Sequence, residues 1–223
     1  LKINPESSHG SKVAAVIRSR SRAEIIPLSA ENIISRIDKE NYLNALEKLK
    51  NYARLHPREK IIVNISLGFE EGSFQKEIIE EISRLKNIIL IAAAGNNNRE
   101  KLSYPAAFKN VTAAAALENN KKMPASNYGK NIDFAAPGVM KITQRHFLPS
   151  LNYSRSYRLS GTSFAAPQLT ALLANILSVN PKLTIKQGLK IISKTAAKIN
   201  DPLFKEAKLG AGRIDQFKAL TEA

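Results

Sequence analysis

The sequence predicts an α/β fold: a three-layer sandwich with a mainly parallel central sheet flanked by helices. Two observations carry this prediction. Residues 61–66 and 88–94 are almost continuously apolar and rich in Ile, as expected of parallel strands that are covered on both faces. Between them, apolar residues recur every three or four positions while Glu and Lys fill the gaps, which predicts an amphipathic helix. The three segments form one βαβ unit, and both strands are expected in the centre of the sheet.

The same alternation extends in both directions along the chain. A helix is predicted to begin at His9. Residues 138–159 are predicted to form a loop, and loops as long as this one are typically functional. We expect a single domain over residues 1–223, incomplete at its N-terminus. Further strands are predicted at 24–28, 111–115 and 132–135. Further helices are predicted at 43–53, 164–179, 185–197 and 215–220.

Composition excludes several classes of protein. Lys and Arg number 34 against 19 Asp and Glu, so the net charge is +15, but the cations are scattered apart from a short cluster at 18–22. Aromatic residues make up 6% and Trp is absent, which argues against a nucleic-acid surface. The chain has no Cys, so it has no disulfides and no thiol chemistry. Its longest apolar run, 88–94, is far short of the roughly 20 residues of a membrane span, so no membrane span is expected.

A serine stands at the predicted start of the long helix near the C-terminus. Ser163 follows Gly161-Thr162 and precedes an apolar run that includes Pro167. A serine in this position either caps the helix or acts as a nucleophile assisted by nearby backbone N–H groups. Position alone leaves both interpretations open.

Two further residues could join it at the carboxyl ends of the parallel strands, where α/β proteins place their sites. Asn96 follows the buried strand 88–94; it either makes a turn or donates its amide N–H to an oxyanion. The histidines are His9, His56 and His146, and the latter two are expected at the surface. His9 is therefore the candidate general base, although a histidine at a helix start can also serve only in capping or packing.

Taken in order, these segments resemble the motifs of the subtilisin-like serine proteases, the subtilases. Residues 9–15 resemble the family's histidine motif HGTxVAG, with Ser11 in place of Thr and Ala15 in place of the last Gly. The substrate-binding strand, the oxyanion asparagine and the nucleophile motif GTSxAxP are matched by residues 64–68, 93–96 and 161–167. Shorter matches lie at 103–106, 126–129, 136–138 and 210–215.

The resemblance implies a serine endopeptidase. Ser163 would be the nucleophile, His9 the general base and then acid, and Asn96 an oxyanion donor. Phe69 replaces the family's usual small residue, which affects the expected pocket depth, and the nearby Glu70 and Glu71 could favour basic substrate residues. The residues implied in substrate binding are Ser66, Leu67, Gly68, Ala93, Ala94, Gly95 and Ser103.

The family's triad also contains an aspartate on a strand well before the histidine. Only eight residues precede His9, and Glu6 among them would have to fold back against the helix start. Three explanations are open: an N-terminal piece missing from this sequence, a separate cleaved chain, or a degenerate protease. The joint presence of nucleophile, base and oxyanion donor favours an active enzyme. The aspartates are Asp38, Asp133, Asp201 and Asp215, all downstream and none in a suitable strand.

Other expectations follow from the resemblance. The chemistry requires no cofactor; many relatives bind structural calcium, but no cluster of oxygen ligands is evident here. The partner is a polypeptide substrate, with an N-terminal fragment or propeptide as a further candidate chain. Relatives are commonly secreted, so an extracytoplasmic location is expected. The alternative function is a catalytically inactive module that binds extended peptides or anionic polymers.

Overall fold

The computed structural model of the chain describes residues 8–30, 37–148 and 151–223; over 142–148 and 151–157 it describes the backbone alone. The helices are α1 (His9–Arg20), α2 (Lys39–Leu55), α3 (Lys76–Ser83), α4 (Thr162–Val179), α5 (Ile185–Thr195), α6 (Pro202–Lys205) and α7 (Gln216–Glu222), and Ser73–Gln75 forms a 3₁₀ turn. The strands are β1 (Ile61–Ile65), β2 (Ile88–Ala93), β3 (Thr112–Glu118), β4 (Lys121–Lys122), β5 (Phe134–Pro137), β6 (Val139–Leu148) and β7 (Leu151–Ser160).

The central sheet is mainly parallel, as predicted. β2 pairs with β1 on one side and β3 on the other, β5 pairs in parallel with the far edge of β3, and the short β4 pairs antiparallel with the end of β3. Within the described residues β1 has only one strand neighbour, so its predicted central position is wrong. Residues 61–64 are accordingly half-buried, whereas Leu90 to Ala93 on β2 are fully buried.

Helices cover both faces of this sheet, which confirms the three-layer α/β sandwich. Alternate residues of β2 point to opposite sides because side chains alternate along a strand. Leu90 and Ala92 pack with α2 and α3, whereas Ile91 and Ala93 pack with α4, α5 and α7. β3 presents only alanines at 113–116, all fully buried, and these small side chains let the flanking helices approach closely.

The helix α4 crosses the centre of the second layer. By length and composition alone, Thr162–Val179 could span a membrane, but 72% of it is buried inside the protein. Its hydrophobicity is therefore that of a core helix. Leu169, Leu173 and Ile176 are fully buried.

Two sequence predictions of local structure are wrong. Residues 24–28 form no strand, and Ile26 and Leu28 are 59% and 44% exposed. A strand needs a neighbour to satisfy its backbone, and none of the described residues supplies one. The expected loop 138–159 is instead the hairpin β6–β7, paired from Val139↔Ser160 to Leu148↔Leu151.

Candidate active site

Ser163 lies in the first turn of α4 but does not cap it. The capping position is Gly161, whose φ of 134° is one that residues with a Cβ rarely adopt. The Ser163 Oγ donates instead to the carbonyl of Ser66 at 3.2 Å, and the Ser66 Oγ donates back to the carbonyl of Ser163 at 2.9 Å. This reciprocal pair ties the end of β1 to the start of α4. The capping interpretation of Ser163 is therefore wrong.

His9 is the first residue of α1, and the residue that caps this helix is Ser8, whose Oγ accepts from Ser11 N. The imidazole Nε2 lies 3.2 Å from the Ser66 carbonyl oxygen. The ring also packs edge-on against Phe164, with centroids 5.8 Å apart. His9 Nε2 and Ser163 Oγ therefore approach the same carbonyl oxygen, which brings the candidate base and the candidate nucleophile together.

Asn96 follows β2 and contacts the same helix start. Its Oδ1 accepts from the backbone N–H of Thr162 at 2.9 Å and from the Thr162 Oγ1 at 3.1 Å. These bonds join residues far apart in sequence, so Asn96 is more than a local turn residue. They fix the amide with Nδ2 turned away from Thr162, and no described residue accepts from that nitrogen. The Nδ2 hydrogens are thus available to a ligand.

Two positioning residues gave no clear signal in the sequence. The fully buried Thr162 also accepts from the N–H of Gly95 at 3.2 Å, which links the loop after β2 to α4 a second time. Buried Asn127 donates to the Ala94 carbonyl and accepts from the N–H groups of Asn97 and Arg99 at 2.9 and 3.1 Å. Both side chains hold the loop that carries Asn96. Only the shorter motif at 126–129 pointed towards Asn127.

The residues expected to bind substrate converge around Ser103. A Cβ on Gly68 would lie 2.9 Å from the Ser103 Cβ, and a Cβ on Gly95 would lie 2.4 Å from the Ser103 Oγ. The Ser103 N–H donates to the carbonyl of Ala94 at 2.9 Å. The segments 66–68 and 93–95 therefore approach each other beside Ser163, with Ser103 between them. Only glycine fits at both points of closest approach.

Phe69 and Glu70 lie next to this cleft. The Phe69 ring packs against Tyr42 and Phe74, with centroids 5.1 and 5.0 Å apart, and is thereby part of the hydrophobic core. The Glu70 carboxylate accepts from Arg99 at 3.2 Å and from the Asn97 amide at 2.9 Å. Its negative charge is therefore already paired with a cation of the same chain.

None of the aspartates contacts His9, and three of them cap helices: Asp38 caps α2, Asp201 caps α6 and Asp215 caps α7. Asp133 accepts from the N–H of Ala113 at 2.7 Å; burial of its carboxyl raises the pKa, which that hydrogen bond partly offsets. Over residues 8–30, 37–148 and 151–223, no carboxylate contacts His9. Glu6 lies outside the described residues.

A metal site was a separate expectation. In the part of the chain that the structure describes, no group of three or more His, Asp and Glu side chains converges to hold an ion. Structural calcium stays a prediction from the resemblance, without residues assigned to it.

Comparison with known proteins identifies the family of this chain. The family model described as "Subtilase family" matches residues 2–213. The chain belongs to the subtilase family. This confirms the resemblance on which the histidine, asparagine and serine motifs were aligned.

Individual subtilases show how far the similarity extends. The thermostable alkaline protease of Halalkalibacterium halodurans is 34% identical over 157 residues, 70% of this chain and 42% of that protein. The halolysin-like extracellular serine protease Nep of Natrialba magadii is 31% identical over 161 residues, 72% of this chain and 28% of that protein. The matches with these subtilases thus span less than half the length of either relative.

A solved structure supports the fold. The prenylagaramide maturation protease PagA superimposes with a TM-score of 0.71 at 23% sequence identity, over 96% of this chain and 81% of that chain. At this identity the comparison establishes the subtilase architecture and not the substrate.

Proposed function

We propose that this subtilase chain carries the catalytic machinery of a serine endopeptidase, with Ser163 as nucleophile, His9 as general base and Asn96 as oxyanion donor. One observation carries the proposal: His9 Nε2 and Ser163 Oγ each lie 3.2 Å from the same carbonyl oxygen of Ser66. The family and its named proteases add the reaction class, hydrolysis of a peptide bond in a polypeptide.

In the reaction the Ser163 hydroxyl rotates from the Ser66 carbonyl towards His9 Nε2. Its Oγ attacks the substrate carbonyl carbon while its proton passes to Nε2. The carbonyl oxygen, now negative, accepts hydrogen bonds from the Asn96 Nδ2 and the Ser163 N–H. The latter is in the first turn of α4, where backbone N–H groups lack acceptors within the helix.

The tetrahedral intermediate then collapses to an acyl-enzyme. The bond between carbon and nitrogen breaks, and His9 Nε2 returns its proton to the departing amine. A water molecule next attacks the ester carbon, with His9 again taking a proton, and the bond to Ser163 Oγ breaks as the hydroxyl is restored. No cofactor takes part in these steps, and the residues 66–68, 93–95 and Ser103 wall the cleft that holds the substrate.

The acid that would orient His9 is proposed to come from residues outside those described. No described carboxylate reaches the imidazole, and among the described residues β1, whose end contacts His9 through Ser66, has a strand neighbour on one side only. A strand added there would pair with β1 and bring its C-terminal end close to His9. It could belong to an N-terminal fragment or propeptide.

The location proposed for the enzyme is extracytoplasmic. One of the similar proteases, that of Natrialba magadii, is named as extracellular. This proposal is independent of the catalytic assignment.

Covalent labelling by a fluorophosphonate probe tests the nucleophile. Labelling mapped by peptide mass spectrometry is expected at Ser163, and is expected to be lost in Ser163→Ala and His9→Ala. The matched control is Ser160→Ala, an exposed serine of the same segment, which should label as the unaltered chain does. A missing acid is expected to slow the labelling without abolishing it, since loss of the triad aspartate lowers kcat about 10⁴-fold but leaves residual catalysis.

Two results would overturn the assignment. Labelling that persists in Ser163→Ala would place the nucleophile elsewhere. A folded chain that stays unlabelled on prolonged exposure, yet binds extended peptides, would be the inactive module.

A further inference from the structure

The ammonium group of Lys122 is surrounded by neutral oxygen atoms of its own chain. Lys122 lies on the short strand β4 and is only partly exposed. Its Nζ donates to one side-chain amide and three backbone carbonyls at distances of 2.7 to 3.2 Å: Asn98 Oδ1, Met123 O, Pro124 O and Ser126 O. The ring of Tyr128 also lies near this ammonium, with its centroid 5.2 Å from Nζ, within range of a cation–π contact. We refer to these four oxygens and the ring as the cation cage.

The cation cage has the chemistry of a site for a free cation. Carbonyl oxygens that converge on one point replace the hydration shell of an ion. Among the described residues no carboxylate forms an ion pair with this ammonium, and Asp201 accepts instead from the backbone N–H of Lys122 at 3.0 Å. Carbonyl dipoles that point at a common centre repel one another unless a positive charge lies there. The ammonium therefore stabilises the turn that brings the carbonyls of residues 123–126 together.

The cation cage joins two segments that are distant in sequence. Its three carbonyls belong to residues 123–126, whereas Asn98 belongs to the loop after β2, two residues beyond Asn96. The same segments are joined by the Asn98 N–H, which donates to the carbonyl of Ala125 at 2.8 Å. The Oδ1 of buried Asn127 joins them again by accepting from two N–H groups of the loop. The ammonium thus acts at the junction that holds the asparagine loop.

The backbone of the asparagine loop needs support at Asn98. Its φ is 53°, in the left-handed region that residues with a Cβ rarely adopt, although Asn tolerates it better than most. Such a conformation persists where the surrounding structure holds it. The residue is exposed, so burial contributes little, whereas its N–H and its Oδ1 both bind the segment at 122–125. Asn98→Asp keeps the oxygen that accepts from Lys122.

We propose that Lys122 is a tethered cation that fixes the asparagine loop and thereby positions Asn96 for the oxyanion. Its effect on catalysis rests on the proposed function, because it acts through the Asn96 amide. Lys122 is a positioning residue: its ammonium binds the loop beside Asn96, at Asn98, and the turn 123–126. When the lysine side chain is shortened, the cation cage is expected to accept a small alkylammonium ion in its place.

Hydrogen exchange measures the hold of Lys122 on the loop without requiring activity. Lys122→Met removes the charge and keeps an unbranched side chain. Mass spectrometry is expected to show exchange about tenfold faster over residues 95–99 and 125–128, because local opening of this junction becomes easier. The matched control is Lys121→Met, the neighbouring exposed lysine of β4 with the same loss of charge, whose exchange should stay within about twofold of the unaltered chain. Circular dichroism checks that both variants are folded.

The rate of fluorophosphonate labelling at Ser163 tests whether this hold reaches Asn96. Lys122→Met is expected to lower the rate about tenfold, since a displacement of about 1 Å at a reacting group can cost about 10²-fold. In a chain that already carries Asn96→Asp, the same change should lower the rate by less than about twofold, because residues that act through one another are not additive. A merely structural role would lower the rate by the same factor in both chains.

Chemical rescue tests whether the cation cage recognises a charge. Lys122→Ala removes the ammonium and its stem beyond Cβ, and propylammonium supplies the same atoms. Propylammonium is expected to restore slow exchange over residues 95–99 and the labelling rate at Ser163, or to refold the variant if it is unfolded alone. The neutral 1-propanol has the same length and is expected to restore neither.

Any of three results would contradict the inference: equal exchange in Lys122→Met and Lys121→Met, an equal loss of labelling rate with and without Asn96→Asp, or equal rescue by 1-propanol and propylammonium. The first and third concern the loop alone, so they leave labelling of the unaltered chain at Ser163 unaffected. A chain that fails to label but shows the faster exchange in Lys122→Met would instead contradict the proposed function, while the hold of Lys122 on the loop would be confirmed.

Discussion

The two halves of the candidate active site are built into the fold very differently. Ser163 and Asn96 project from α4 and from the end of β2, whose surroundings are the fully buried centre of the protein. His9 is exposed, and among the described residues it is held by one hydrogen bond and one ring contact. The nucleophile half is thus held by many contacts of the described chain, whereas the histidine half is held by two.

The difference follows from the sheet. β2 and β3 have neighbours on both sides, and α4 packs over them. Among the described residues β1 has a strand neighbour on one side only, and α1 contacts the end of this strand through His9 and Ser66. Such a division shows that preorganisation of one catalytic group does not imply preorganisation of its partner.

The largest expected effect concerns the nucleophile half. Asn96→Asp keeps Oδ1 as the acceptor for Thr162 N–H but removes the Nδ2 donor. The rate of fluorophosphonate labelling should fall about 10²- to 10³-fold, the loss measured for an oxyanion donor in a related protease. The control is Asn98→Asp, which introduces the same charge two residues away. Equal rates for the two variants would mean that Asn96 serves only to anchor Thr162.

Packing of the two helices provides the next comparison. Ile176→Ala in α4 removes a fully buried side chain and should lower the free energy of unfolding by about 2 to 5 kcal/mol. Ile17→Ala in α1, where the side chain is 8% exposed and belongs to none of the described hydrophobic clusters, should cost less, about 2 kcal/mol at the lower end of that range. Urea unfolding measures both. A larger loss at Ile17 would contradict the contrast between the two halves.

A smaller effect is expected from pH. Burial raises the pKa of Asp133, so the native state holds this proton at pH values at which the unfolded chain has released it. As pH rises from the ordinary Asp pKa of about 3.9 through the raised value, the unfolded state binds fewer protons and stability falls.

Asp133→Asn keeps an oxygen acceptor for the N–H of Ala113 and cannot ionise. The stability of the unaltered chain relative to Asp133→Asn should therefore decrease with rising pH over that window. Urea unfolding at a series of pH values measures the difference. A relative stability that increased with pH would show that hydrogen bonding to the carboxylate outweighs its burial.

The spacing of apolar residues correctly predicted the strands and helices that are packed in the core. It failed for segments whose structure depends on pairing with another strand. β2, α3 and α4 were found because apolar residues recur with the period of each element. Residues 24–28 carry a strand pattern but have no described strand beside them. The β6–β7 hairpin was missed because no Asn-Gly or Asp-Gly turn marks it and its strands are largely polar.

The candidate active site shows the same limit: local sequence patterns do not predict contacts between residues that are distant in sequence. Ser163, His9 and Asn96 were identified from motifs, and their roles stay predictions. Their arrangement around the Ser66 carbonyl could not be read from spacing, because it joins residues 97 and 57 positions apart. The roles of Thr162 and Asn127 in holding the asparagine loop were hidden for the same reason: each acts through bonds to a segment distant in sequence.

The carbonyl shared by His9 and Ser163 has a consequence for timing. A carbonyl oxygen carries no proton, so it cannot relay one from Oγ to Nε2, and the hydroxyl must first turn about χ1. Such a rotation takes picoseconds to nanoseconds, far less than a typical turnover of milliseconds or longer. In the proposed mechanism, the hydroxyl therefore stays neutral and bonded to the backbone while no substrate is bound, and turns to His9 when substrate binds without slowing the cycle.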